Sequence, residues 1–239
     1  MPSIADLEIS KDKKTALVFG ATGLVGGYLV DMLLAHEAYR QVEVFNRRRL
    51  KKEHPKLVQH VIDFDRLPSY RNLIKGHDLF LCLGTTMRKA GDRKAFFKVD
   101  YTYPFQAARM ASDNRVNQVL LVSSVGADSE SYFFYNKVKG LLEDAVWKMK
   151  FWSIHIFRPS ILLGERNENR WGEQLAGQLG KGFDYLTGGM LTKYRPIEAE
   201  IVAKAMVNAA QHLRPGKFTY PSHYLQSLAD ETYNDKPMR

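Results

Sequence analysis

The chain is poor in cysteine: Cys82 is the single one in 239 residues. An intrachain disulfide is therefore excluded, and no zinc-ligand spacing exists. Seven histidines are scattered along the chain without metal-ligand spacing, so no metal centre is expected. Residues 1–14 carry no apolar signal core, and no run approaches the length of a membrane span. These absences predict a cytoplasmic protein with no membrane partner. Internal repeats and low-complexity segments are also missing. Acids are outnumbered: 26 Asp and Glu face 35 Lys and Arg, a formal net charge of +9. The excess concentrates at Arg47-Arg48-Arg49 with Lys51 and Lys52, and again from Arg88 to Lys98. No nucleic-acid-binding motif accompanies it, so nucleic acid is not the expected partner. An anionic cofactor, an anionic substrate and solvated surface account for the charge better.

What is present is a regular alternation of strand and helix patterns. Thr15 to Phe19 is a short apolar, partly β-branched run that reads as a buried strand. Further strands are predicted at Gln41–Phe45, Leu57–Ile62, Asp78–Leu83, Gln118–Ser123 and Ser153–Phe157. Helices are predicted over 23–35, from about Pro104 to Ser112, and from Tyr132 to Lys150. Such alternation predicts an α/β fold with a doubly wound, Rossmann-type parallel sheet that binds ligands at the C-terminal strand ends. The core is expected to span residues 1–164. Residues 165–239 are less regular and are expected to form a small C-terminal substrate-covering lobe, with one amphipathic helix at Glu198–Gln211 and a polar tail from residue 229. Cys82, inside an apolar run, reads as a packed strand residue, and His155 as a packed rather than catalytic histidine.

The first strand ends in Gly20-Ala21-Thr22-Gly23-Leu24-Val25-Gly26 and a helix pattern follows at once. Glycines in a strand-to-helix turn let the backbone approach a dinucleotide pyrophosphate, and the helix N-terminus offers free N–H groups to the anion. Gly20, Thr22, Gly23, Leu24, Val25 and Gly26 are thus candidate cofactor contacts. About twenty residues on, where an NAD enzyme usually carries an acid for the ribose 2′-hydroxyl, the second strand ends in Asn46-Arg47-Arg48. Guanidinium groups there suit a 2′-phosphate, so the expected cofactor is NADP(H). Asp63, with its neighbour Phe64, closes the third strand and is placed to meet the adenine amino group.

Tyr135 and Lys139 are four apart in a predicted helix and so share one face. A phenol has an ordinary pKa near 10 and is a poor base at neutral pH. A nearby ammonium would stabilise the phenolate. Tyr135 is the expected proton donor to a substrate carbonyl as hydride arrives, or the acceptor in reverse. Ser124, at the end of the fifth strand, is expected to hydrogen-bond the same oxygen, and Lys139 to bind the nicotinamide ribose as well.

Taken together, the glycine run, Ser124, Tyr135, Lys139 and Arg158-Pro159-Ser160-Ile161-Leu162-Leu163-Gly164 resemble an atypical, epimerase-like short-chain dehydrogenase/reductase. More narrowly, Cys82-Leu83-Gly84-Thr85-Thr86, Lys89-Ala90-Gly91, Ser123-Ser124 and Phe157-Arg158-Pro159 resemble its Tat-interacting-protein-like branch. The resemblance implies that Leu83, Gly84 and Thr85 border the cofactor. It also implies that the run holding Pro159 and Ile161 contacts the nicotinamide carboxamide. Two departures stand out. The Ser124-to-Tyr135 spacing is shorter than usual, which leaves Ser123 open as the acting serine. The substrate lobe is short for a nucleotide-sugar epimerase, which favours a small carbonyl or alcohol. The expected function is an NADP(H)-dependent oxidoreductase, monomeric or homodimeric. The alternative is an NADP(H)-binding regulatory or scaffold protein.

Overall fold

A computed structural model describes residues 11–164 and 195–231. The first half runs β1 (Lys14–Phe19), α1 (Leu24–Ala35), β2 (Tyr39–Asn46), β3 (Leu57–Val61), a 3₁₀ stretch (Phe64–Leu73) and β4 (Asp78–Leu81). Two short helices follow, α2 (Met87–Ala90) and α3 (Arg93–Phe97), then a single π-helical turn (Lys98–Thr102) and α4 (Tyr103–Asp113). The second half holds β5 (Gln118–Val122), α5 (Phe134–Trp147), β6 (Ser153–Arg158), β7 (Leu162–Leu163), β8 (Ile197–Glu198), α6 (Ala199–Gln211), β9 (Gly216–Pro221) and α7 (Ser222–Asp230).

Seven strands form one parallel sheet in the order β3-β2-β1-β4-β5-β6-β9, and β7 pairs with β8 apart from it. The order reverses between β1 and β4, and their C-terminal ends open the crevice of a doubly wound fold. Side chains alternate across the sheet as strand geometry demands. Ala16, Val18, Val44, Phe80 and Leu120 face one layer, built from α1, α6 and α7. Leu17, Phe19, Phe45, Leu81 and Leu121 face the other, built from the 3₁₀ stretch, α4 and α5. Both faces are covered, which is why the strands read as continuous apolar runs. Leu29 and Leu33 of α1 are wholly buried, each stabilising the layer by about 1.5–3 kcal/mol.

Every predicted strand and helix of residues 1–164 is present, with ends shifted by a few residues. Of the expected C-terminal lobe, residues 195–231 are described, and they join the core. Strand β9 extends the main sheet beside β6, pairing Phe157 with Tyr220, and α6 packs on α1. Residues 165–194 lie outside the described residues. The polar tail does not begin at residue 229: Ala229 is buried and α7 runs through Asp230. Cys82 falls just past β4, where its N–H donates to the Phe19 carbonyl at 2.8 Å. Burial pushes its thiol up to about 12. His155 is packed inside, stacked against Phe218 and Tyr220. Burial, then the charge of His212, holds it down to about 3.

A buried polar network ties the far end of the sheet to α6. Lys14 Nζ lies 2.7 Å from Asp78 Oδ2 and donates to the Ala210 carbonyl. Tyr39 Oη donates to Asp78 Oδ2 at 2.5 Å, Gln118 donates to Asp78 Oδ1, and Gln211 donates to Tyr39. Burial, then the facing Asp78, holds the Tyr39 phenol well above its ordinary value, so it stays a donor.

Candidate active site

The β1–α1 turn closes because two of its positions have no room for a side chain. Gly20 has φ +91°, and a Cβ there would lie 2.5 Å from the Cys82 backbone. At Gly26 it would lie 2.1 Å from the Gly20 carbonyl oxygen. These contacts bring the ends of β1 and β4 together and seat α1 on the turn. No side chain caps α1, and its first turn carries no acid. Its leading N–H groups thus suit an anion.

Beside this turn lies a pocket of about 860 Å³. Of the expected cofactor residues, Gly20, Thr22, Gly23, Asn46, Arg47, Asp63, Phe64, Leu83, Gly84 and Thr85 line it. Leu24, Val25, Gly26, Arg48, Pro159 and Ile161 are not in its lining, and neither are Ser124, Tyr135 and Lys139. Asn46 is buried and its Nδ2 has no partner among the described residues. Arg47 and Arg48 are exposed. Asp63 Oδ1 accepts the Asp65 N–H at 2.9 Å. The Asp65 carboxylate accepts from Tyr103 at 2.5 Å and from Lys98 at 2.6 Å. Those bonds hold its carboxyl below the usual range.

The proton-transfer candidates adjoin this pocket through Gly84, where a Cβ would lie 3.7 Å from Lys139 Nζ. Helix α5 presents Tyr135, Lys139 and Glu143 on three successive turns of one face. Lys139 is buried, whereas Tyr135 is exposed. Lys139 Nζ pairs with Asp100 Oδ1 at 2.8 Å. Burial acts to lower the lysine pKa, but Asp100, then Tyr135 and Glu143, act to raise it, and the net shift is upward. Glu143 is buried and grips Arg158, whose Nε donates to its Oε1 at 3.0 Å. The same Oε1 accepts from the Ser123 hydroxyl. Ser123 is thereby engaged, while the buried Ser124 Oγ has no partner among the described residues.

The short spacing between Ser124 and Tyr135 has a packing cause. The loop after Ser124 folds back onto α5: the Asp128 N–H donates to the Asn136 carbonyl at 3.1 Å. A Cβ at Gly140 would lie 2.1 Å from the Ser129 nitrogen, so only glycine admits this approach. The run after β6 borders both parts. Its Pro159 carbonyl accepts the Val125 N–H at 2.9 Å, and a Cβ at Gly164 would lie 3.2 Å from Leu24.

Residues 16–217 match the description "NAD dependent epimerase/dehydratase family". The chain belongs to that family. It is 36% identical over 205 residues to Protein HTATIP2 of Rattus norvegicus, covering 84% of this chain and 83% of that one. This bears out the narrower resemblance to the Tat-interacting-protein-like branch. It is also 33% identical over 206 residues to Protein FMP52, mitochondrial, of Candida albicans, covering 82% of this chain and 88% of that one. Among solved structures it resembles MoeE5 in complex with UDP-glucuronic acid and NAD, with TM-score 0.67 at 17% identity over 86% of this chain and 75% of that one. The Bordetella bronchiseptica enzyme WbmH in complex with NAD+ gives 0.66 at 16% identity, over 87% and 76%. At such identities the likeness concerns the fold.

Binding of NAD(P) is typical of this family, and the residues present fit such a group. The cradle has no space for added side chains, an uncapped helix N-terminus faces it, and the buried polar atoms Asn46 Nδ2 and Ser124 Oγ have no hydrogen-bond partners among the described residues. Several residues escaped the sequence reading of the site. Lys89, Asp65, Val99 and Tyr103 line the pocket, and Asp100 and Glu143 hold the α5 and strand-end side chains. Glu143 continues the Tyr135/Lys139 spacing and was legible to that extent. Among the described residues no cluster of His, Cys, Asp and Glu suits a metal, and no helix is long and apolar enough to cross a membrane.

Proposed function

We propose that the protein is an NADP(H)-dependent oxidoreductase acting on a small carbonyl or alcohol. The observation that carries this reading is the glycine cradle beside a buried, carboxylate-paired Lys139, with the Ser124 hydroxyl left without a partner. When bound, the dinucleotide supplies or accepts hydride. Tyr135 donates its phenolic proton to the substrate oxygen and recovers it in the reverse direction. The Ser124 hydroxyl hydrogen-bonds that same oxygen. The Lys139 ammonium stabilises the phenolate that Tyr135 becomes. Preference for NADP(H) is supported by Arg47 in the pocket lining where an acid would mark NAD.

The test is a carbonyl and alcohol panel followed by NADPH absorbance, with Tyr135→Phe alongside. That variant removes one hydroxyl, and turnover should fall by a factor of about 10² or more, with NADPH affinity little changed. Normal turnover by Tyr135→Phe would end the proposed mechanism. A second reading, an NADP(H)-binding regulatory protein, is favoured by Tyr132 and Phe133. These aromatics are 104% and 75% exposed directly before α5, and exposed apolar groups of this size suit a protein partner. It gains if the unmodified protein binds NADPH yet turns over nothing in the panel. Location is part of the proposal too. The sequence suggests the cytoplasm, the word mitochondrial belongs to the FMP52 relatives, and cell fractionation decides between them.

A further inference from the structure

One buried ion pair joins elements that the sequence does not connect. Asp100 lies on the π-helical turn between α3 and α4 and is fully buried. A π turn widens the helical path and re-aims the side chains on it, and such turns gather at functional sites. Here the turn delivers one carboxylate to two partners. Asp100 Oδ1 lies 2.8 Å from Lys139 Nζ. Asp100 Oδ2 accepts the Thr85 N–H at 2.8 Å. Thr85 lines the pocket, so the carboxylate bridges the pocket loop and α5. Neighbouring Gly84 lies against the pair, its Cβ position 3.5 Å from Asp100 Oδ1, an ordinary contact distance.

The ionisable groups that face Lys139 are Asp100 from the π turn, and Tyr135 and Glu143 from its own helix. Glu143 is already bonded to Arg158 and Ser123. Asp100 is therefore the counter-ion that the buried ammonium has to itself. An amide of the same shape would keep the Thr85 bond but could not neutralise the charge, and a buried amine without a counter-ion gives up its proton readily.

We propose that Asp100 is a positioning residue: it holds Lys139 as an ammonium and ties it to the Thr85 loop, so that the remaining ammonium N–H bonds point to Tyr135 and the dinucleotide. The role of Lys139 toward Tyr135 rests on the oxidoreductase reading. The ion pair itself is tested without turnover.

The experiment is a pH titration of lysine Nζ signals by NMR on the unliganded full chain, unmodified and as Asp100→Asn. The Lys139 signal is assigned by its loss in Lys139→Arg. In the unmodified protein Lys139 should keep its proton to higher pH than the surface lysines. In Asp100→Asn it should release it at least about one pH unit earlier. An unchanged titration in the variant overturns the proposal. So does a Lys139 in the unmodified protein that titrates with or below the surface lysines, a result that stands even if Asp100→Asn fails to fold. NADPH titrated by fluorescence gives a second readout. The affinity of Asp100→Asn should fall as pH rises through the new lysine titration, while the unmodified protein stays level over that range. A loss that is the same at every pH indicates a merely structural residue and overturns the proposal. Failure of the oxidoreductase reading would appear instead as absent turnover with the Lys139 titration intact.

Discussion

Replacing Arg47 with alanine should cost NADPH affinity and leave NADH affinity nearly unchanged. Arg47 is the first residue past β2 and lines the pocket next to Asn46. The carboxylates on that side, Asp63 and Asp65, accept bonds from within the protein. A hydrogen bond to a charged group contributes about 1.5–3 kcal/mol. Arg47 is exposed, so salt screens it and the lower figure applies. About 1.5 kcal/mol corresponds to roughly tenfold in Kd. The unmodified protein should therefore prefer NADPH by about that factor, and Arg47→Ala should remove most of the preference. Arg48 is exposed too but lies outside the pocket lining, so Arg48→Ala should cost less. Cofactor fluorescence titrated with both dinucleotides at low and high salt provides the assay, and the NADPH preference should shrink as salt rises. Equal affinities in the unmodified protein would refute the reasoning, as would an Arg47→Ala loss shared equally by NADH.

Two further outcomes follow from the packing. Ser124→Ala should lower turnover of any substrate found while leaving the melting temperature close to that of the unmodified protein, because Ser124 Oγ has no hydrogen-bond partner among the described residues; Ser123→Ala should do the reverse through its lost bond to Glu143, and an exchange of the two phenotypes would reassign the acting serine. Asp78→Asn should destabilise the fold by about 3–5 kcal/mol in a denaturant titration, since it strands the Lys14 ammonium, which is 1% exposed; a loss below about 1 kcal/mol would show that water reaches the pair.

The strands of the core were legible because both faces of the sheet are covered, and each strand reads as an apolar run between turn residues. Strand β9 was not. Gly216-Lys217-Phe218-Thr219-Tyr220-Pro221 opens with glycine, closes with proline and holds only two apolar side chains. Its reason for being a strand lies in β6, where His155 and Phe157 stack on Phe218 and Tyr220 at 5.2 and 4.9 Å. Alternation over so few residues gains meaning only once that partner edge exists. The helix of Ser222–Asp230 was hidden similarly: its buried Leu225, Leu228 and Ala229 have the helical period over too few residues to stand out, and its last two residues fell in the expected tail.

The site divides along the same line. Spacing of four puts Tyr135 and Lys139 on one helix face whatever surrounds them, so that pair could be read directly. Glu143 continues the series, yet its task depends on Arg158, fifteen residues away, and Ser123, twenty residues away. That tertiary bond is what separates the two adjacent serines, because it occupies one hydroxyl and leaves the other without a partner. Asp100 was further out of reach. It lies on a π turn, where the helical period that sequence reading relies on fails, and its partner is in another helix. Local chemistry thus reveals which groups could move a proton. Which of them are held, and in which charge state, is decided by carboxylates that arrive from elsewhere in the fold.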